Sequence, residues 1–196
     1  MVILLACIFI LKGLNAKKLK GIFFVFFNKS FIEDEVEERA SFFKGFNLIL
    51  VFFLLLLLSL LMYLFLVNLS VHKEIGFLLF CEVFTITSIY FVLKWFIEYL
   101  ISLLFSIRTE TKFYLISKST YLYAITFVLY IAIIFYIYTS LDIIFLSYFA
   151  LSLFLIRFAF QVFNNKNLIL PKLFYFILYL CAFEIAPLFV LFKLML

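Results

Sequence analysis

The chain has 196 residues, of which 69% are hydrophobic and 14% charged, whereas soluble domains average about 45 to 50% and about 25%. Such an excess cannot be buried in one water-soluble core. The 32 Phe and 12 Tyr stand against only 4 Gly and 2 Pro, without the apolar and polar alternation of a membrane barrel. We therefore expect membrane helices with the lipid bilayer as partner. The formal charge of +5 is expected to mark cytoplasmic loops rather than nucleic-acid binding.

The N-terminal region begins with a short apolar run and continues with a basic one. Residues 2–11 are about 15 Å long as a helix, too short for a hydrocarbon core of about 30 Å. We expect residues 2–14 to be a partial or truncated span. Lysines flank the aromatic residues of segment 17–29, which predicts an interfacial segment at the lipid headgroups. The acidic residues 33–39 predict a solvated turn or short helix, with cation binding as the alternative.

Longer apolar stretches follow. The predicted spans are residues 46–67, 75–93, 120–138, 142–163 and 173–194. Residues 94–107 carry polar side chains four positions apart, which favours an interfacial amphipathic helix or an extended, tilted one. Residues 108–119 are predicted to form a mixed-charge loop. The sequence thus predicts an all-α membrane protein, a single domain over residues 1–196 that forms a bundle of five to six transmembrane helices.

The basic residues predict the orientation of this bundle. Segments 12–45, 94–118 and 164–172 hold most of the 16 lysines and arginines, whereas only Lys73 and Lys193 fall on the opposite side. Because basic loops stay in the cytoplasm, we expect these three segments inside and the C-terminus in the periplasm. The expected location is a bacterial inner membrane, crossed several times.

Ionisable residues inside spans are candidate functional residues, because each costs about 2.5 to 3.5 kcal/mol at a helix centre. Glu82, Arg157 and Glu184 qualify. At 1.5 Å per residue, Arg157 lies roughly 9 Å and Glu184 roughly 17 Å from the cytoplasmic side, an offset that an arginine could bridge. Glu82 enters from the outer side and has no evident partner. The alternative for Arg157 is that its side chain snorkels to the cytoplasmic headgroups.

Gln161 and Pro187 complete the candidate intramembrane polar site. Gln161 ends a small and polar stripe with helical spacing, which predicts a face turned toward other helices. The stripe comprises Ser147, Ala150, Phe154, Arg157 and Gln161. Pro187 removes a backbone donor and is expected to loosen the turn that holds Glu184. Two roles remain for Glu184: a carboxyl that fixes helix register, or a proton, ion or substrate site.

Catalytic motifs are lacking in the sequence. It has no glycine-rich phosphate loop, nucleophile elbow or His-Glu-x-x-His pair. Cys7, Cys81 and Cys181 have unrelated spacings within apolar runs and are expected to be inert small hydrophobic residues. We therefore expect no enzymatic activity, no cofactor and no metal.

The last apolar stretch carries the distinctive pattern Tyr-Leu-Cys-x-x-Glu-x-x-Pro over residues 179–187. Residues 174–188 resemble the closing signature of an uncharacterised Bacteroidota inner-membrane family, domain of unknown function number 4271. The order of spans from Phe46 onward is also similar to that family. The N-terminal region of the chain departs from the family pattern, because family members carry a longer first span. The resemblance implies a bacterial inner-membrane location and no particular chemistry.

Two functions remain as hypotheses. The first is a non-enzymatic accessory or assembly subunit of a cell-envelope complex, which acts through a membrane-protein partner or a homo-oligomer. The alternative is a small transporter or ion-coupled carrier that uses Glu82, Glu184 and Arg157.

Overall fold

The computed structural model describes residues 1–26, 45–68, 76–104, 108–139 and 142–164, with side chains described outside residues 98–115 and 164. Within these ranges the chain forms five helices and no strand. They are α1 (Val2–Phe23), α2 (Gly45–Asn68), α3 (Phe77–Leu104), α4 (Arg108–Tyr138) and α5 (Ile143–Asn164). The predicted all-α class is confirmed.

Four of these helices contain stretches long and apolar enough to cross a membrane. The stretches are Gly45–Asn68, Phe77–Ile97, Ile116–Tyr138 and Ile143–Phe163. Their limits differ by only a few residues from the predicted spans 46–67, 75–93, 120–138 and 142–163. The predicted span 173–194 lies outside the described residues. The protein is therefore a helical membrane protein with at least four candidate spans.

Helices α3 and α4 extend beyond the predicted spans. Helix α3 continues without interruption to Leu104, and α4 begins at Arg108 rather than near residue 120. The predicted loop over residues 108–119 is therefore wrong. Ile116, Ser117 and Thr120 are buried against the bundle, and this packing extends the helix below the apolar stretch. The charged residues before them are good helix formers once such packing holds the helix in place.

Helix α1 bends at Asn15, whose backbone angles are extended (φ −159°, ψ 89°). The Asn15 side-chain Oδ1 accepts a hydrogen bond from the backbone N–H of Lys18 at 2.9 Å. This is the geometry of a helix N-cap, in which a side-chain oxygen satisfies a free N–H of the first turn. Asn15 therefore ends the apolar part of α1 and starts the basic part as a new helical segment.

Replacing Asn15 by Ala is expected to lower the free energy of unfolding by about 1 kcal/mol, because the capped N–H loses its acceptor. Asn15→Asp is the control, since its carboxylate accepts the same hydrogen bond. Thermal unfolding in mild detergent measures both variants. Equal melting temperatures for the Ala and Asp variants would show that the cap does not stabilise the bend.

The segment after Asn15 contacts several helices of the bundle and does not pack along only one of them. The Lys18 Nζ lies over the Phe46 ring of α2, with 5.6 Å to its centroid. The Phe23 ring then lies 4.6 Å from Phe127 of α4. Phe26 contacts Tyr121 of α4 at 5.4 Å and Phe160 of α5 at 5.2 Å, between ring centroids. The segment 16–26 therefore ties three helices together at one end of the bundle.

The core lies around α2, which contacts each of the other four described helices. Phe53 of α2 stacks on Phe127 of α4 with 5.0 Å between ring centroids, and both side chains are fully buried. Toward the outside, by contrast, large apolar side chains are exposed on every described helix. An apolar surface of this extent is not stable in water and indicates that the bundle is embedded in lipid.

Candidate functional site

The two ends of the bundle differ in charge. One end holds segment 16–26, the first turns of α2 and α4, and the last turns of α3 and α5. We call it the basic end, because its described residues include Lys17, Lys18, Lys20, Lys94, Arg108, Lys112 and Lys118. The other end, which we call the distal end, holds Asn68, Gly76, Thr139 and Asp142. No described residue at the distal end is a lysine or arginine.

Polar residues of α4 and α5 meet between the helices near the basic end. We call this group the basic-end cluster: the buried Ser117, Lys118 and Thr120 of α4, and the half-buried Arg157 and buried Gln161 of α5, of which Arg157 makes the contact between the two helices. The Arg157 Nη2 donates a hydrogen bond to the backbone carbonyl of Lys118 at 3.3 Å. Lys118 and Gln161 are only 5% and 1% exposed. Arg157 therefore joins α5 to the backbone of α4 beside polar side chains that are buried.

The position of Arg157 and Gln161 follows from the pattern of α5. They lie one helical turn apart, below Leu146 and Ala150, which are buried on the same side. The predicted small and polar stripe of α5 thus faces the bundle at Ala150, Arg157 and Gln161. The arginine side chain extends toward the basic end, where it contacts the backbone of α4. The Arg157 side chain points toward the headgroups, as a snorkelling arginine does. Its described hydrogen bond, however, is to the Lys118 carbonyl and not to lipid.

Glu82 lies far from this cluster. It is exposed in the first turns of α3, next to Val83, which packs on Leu66 near the distal end of α2. The stack of Phe53 on Phe127 shows which residues of α2 and α4 lie at the same height along the bundle. Counted along these helices at 1.5 Å per residue, Glu82 and Lys118 are separated by roughly 30 Å. The structure therefore leaves Arg157 and Gln161 on one inward face of α5 and places Glu82 far from both.

The remaining candidate residues, Glu184 and Pro187, lie outside the described residues, so the pairing of Glu184 with Arg157 stays a prediction. Among described residues, Cys7 is a buried free thiol and Cys81 a half-buried one. In the same part of the chain, no group of three His, Cys, Asp or Glu residues is placed to hold a metal ion.

A family model described as Domain of unknown function (DUF4271) matches residues 1–195. The chain belongs to this family. The resemblance seen in residues 174–188 is thereby confirmed over nearly the whole chain. No curated protein and no solved structure matches it.

Sequence reasoning missed two residues of the basic-end cluster in this DUF4271 protein. The sequence predicts Ser117 and Lys118 in the mixed-charge loop, whereas both are buried on α4. The Ser117 Oγ has no hydrogen-bond partner although it is fully buried. The available signal was the spacing of Ser117, Thr120, Tyr121 and Ala124, which continues the buried face of the span by one turn toward the N-terminus.

Proposed function

We propose that this protein is a non-enzymatic accessory or assembly subunit of a cell-envelope complex. Its place is the inner membrane of a bacterium, of the Bacteroidota as the family resemblance implies. The basic end lies in the cytoplasm and the C-terminus in the periplasm. In this proposal the protein acts through helix faces that bind a membrane-protein partner or a second copy, and through its basic cytoplasmic segments.

The observation that carries this proposal is the separation of the ionisable groups in the described spans. Arg157 holds α5 against the backbone of α4 at the basic end, and Glu82 lies roughly 30 Å away along the bundle, at 1.5 Å per residue. The carrier hypothesis uses Glu82 together with Arg157 and Glu184, and the first two lie far apart in the described spans. The arrangement instead supports a scaffold, in which Arg157 fixes helix packing.

The charge distribution supports the orientation. The lysines and arginines of the described helix ends gather at the basic end, and the described distal end carries the acidic Asp142. Juxtamembrane lysines are retained on the cytoplasmic side, where anionic lipids attract each by about 1 kcal/mol. Segment 16–26, which lies at this end, presents Lys17 and Lys20 outward while Leu19 and Ile22 are buried.

Purification from native membranes tests the proposal. The chain is tagged at its own chromosomal locus, extracted in mild detergent and analysed by native electrophoresis and mass spectrometry. A second multi-span protein with the same tag and similar abundance is the control. We expect a stoichiometric envelope protein that is absent from the control, and a deletion strain that has lost the corresponding complex. Recovery of this chain alone, with all envelope complexes intact in the deletion strain, would refute the proposed role.

A further inference from the structure

Segment 16–26 turns one face into the bundle and the opposite face outward. The buried side chains are Leu19, Ile22 and Val25. The outward face includes the exposed side chains of Lys17, Lys20 and Phe24, which we call the basic stripe. Its steps of three and four residues keep the three side chains on one side of the segment. The structure therefore holds two lysines and an aromatic ring in a row, on a segment anchored by its buried face.

The basic stripe passes from the headgroup level toward the hydrocarbon. At its start, the Nζ of Lys18 lies over Phe46, near the beginning of the apolar stretch of α2. Toward its end, the ring of Phe23 contacts Phe127 of α4. Phe127 lies roughly 16 Å into the apolar stretch Ile116–Tyr138, at 1.5 Å per residue. The lysines of the stripe therefore lie nearer the headgroups, and its phenylalanine lies nearer the acyl chains.

We infer that the basic stripe binds an anionic phospholipid, with the phosphate at Lys17 and Lys20 and an acyl chain along Phe24. Lysines three residues apart on a helix are neighbours, so both ammonium groups reach the same phosphate. Each donates charge-assisted hydrogen bonds to its oxygens. The inference deepens the proposed function by naming the partner of segment 16–26, and it rests on the orientation proposed there.

Charge and the exposed aromatic ring together favour a lipid as the occupant. Among the described side chains, the carboxylates are those of Glu82 and Asp142, and both lie toward the distal end. Anionic lipids of the cytoplasmic leaflet supply phosphate at the level of the lysines. The acidic residues 33–39 of the same chain are the competing anion. An acyl chain matches the Phe24 ring, which is 54% exposed, whereas a carboxylate does not.

Thermal unfolding with added lipid tests the inference. The purified chain is delipidated in mild detergent, and its unfolding midpoint is measured with phosphatidylglycerol or with phosphatidylcholine of the same acyl chains. Because segment 16–26 ties three helices together, a lipid bound to it in the folded state stabilises the bundle. We expect the anionic lipid to raise the midpoint by several degrees more than the zwitterionic one. Native mass spectrometry of the same samples is expected to show more bound phosphatidylglycerol than phosphatidylcholine.

Substitutions of the lysines locate the effect. Lys17→Gln combined with Lys20→Gln is expected to abolish the difference between the two lipids. Lys17→Arg combined with Lys20→Arg is expected to retain it, because the positive charges remain. Lys12→Gln combined with Lys94→Gln is the matched control, since it removes the same total charge from positions outside the stripe. We expect this control to keep the lipid preference.

Four results would overturn the inference. The first is equal stabilisation of the unmodified chain by the two lipids. The second is an equal loss of preference in the control pair and the stripe pair, which would show a general attraction of charge. The third is equal stabilisation by glycerol phosphate, which lacks acyl chains. The fourth is a preference that emerges only when the acids of residues 33–39 are replaced by Gln, which would assign the lysines to that segment.

These measurements use the purified chain in detergent. They depend neither on an envelope protein that co-purifies with it nor on the phenotype of a deletion strain. Failure of the lipid site and failure of the accessory role are therefore distinguishable.

Discussion

Phe127→Ala is expected to lower the free energy of unfolding by about 3 to 5 kcal/mol, the usual cost of removing a fully buried aromatic ring. The Phe127 ring is 1% exposed and contacts the rings of Phe23 and Phe53, with centroids at 4.6 and 5.0 Å. It therefore joins α1, α2 and α4 at one point. The Phe127 ring is shielded from lipid, so lipid chains do not directly take over the contacts that its removal breaks.

Phe135→Ala is the matched control for this prediction. Phe135 lies two turns further along the same helix, and its side chain is 59% exposed. Its truncation replaces contacts with lipid by other contacts with lipid, so we expect little change in the free energy of unfolding. The measurement is the thermal unfolding midpoint of purified protein in mild detergent, followed by circular dichroism. Equal decreases in the unfolding midpoint for the two variants would mean that the contacts among Phe23, Phe53 and Phe127 do not hold the helices together.

Arg157→Met is expected to destabilise the contact between α4 and α5 by about 1.5 to 3 kcal/mol, the range for hydrogen bonds to charged groups. Its guanidinium donates to the Lys118 carbonyl, and the Met side chain retains comparable length without a donor. Arg157→Lys is expected to fall between the wild type and Arg157→Met, because an ammonium lacks the planar fork of a guanidinium.

The control for Arg157 is Ser152→Ala on the exposed side of the same helix. The Ser152 Oγ donates only to the Phe149 carbonyl of its own helix at 2.8 Å, so its loss leaves the helix contact intact. Unfolding midpoints are measured as for Phe127. If Arg157→Met is as stable as Ser152→Ala, the arginine serves only to reach the headgroups. Its contact with α4 then does not stabilise the folded bundle.

The spans were predictable because a membrane helix is specified locally. A run of about 20 apolar residues is sufficient, whatever it packs against. The start of α4 was not predictable in this way, since residues 108–119 are too polar for a span and become helical through the burial of Ile116 and Ser117. The bend at Asn15 likewise depends on a single hydrogen bond, which short-range composition does not reveal.

The candidate site was predictable only in part, for a similar reason. The spacing of Arg157 and Gln161 placed them on the inward face of α5, because helical periodicity alone decides that. Their partners on α4 required the register between two helices, which no local pattern provides. The depth of Glu82 could be read from the sequence. Its distance from Arg157 and its place on the open face of α3 came from the packing of α2, α3 and α4.

The central claim is that the described helices cross a membrane with the basic end in the cytoplasm. Labelling of single cysteines in spheroplasts by a membrane-impermeant maleimide tests it most directly. In a background in which Cys7, Cys81 and Cys181 are replaced by Ala, Asp142→Cys reports on the distal end and Lys20→Cys on the basic end, and both native residues are exposed. We predict that Asp142→Cys reacts in intact spheroplasts, whereas Lys20→Cys reacts only after the membrane is permeabilised. Reaction of both in intact spheroplasts, or the reverse order, would contradict the account.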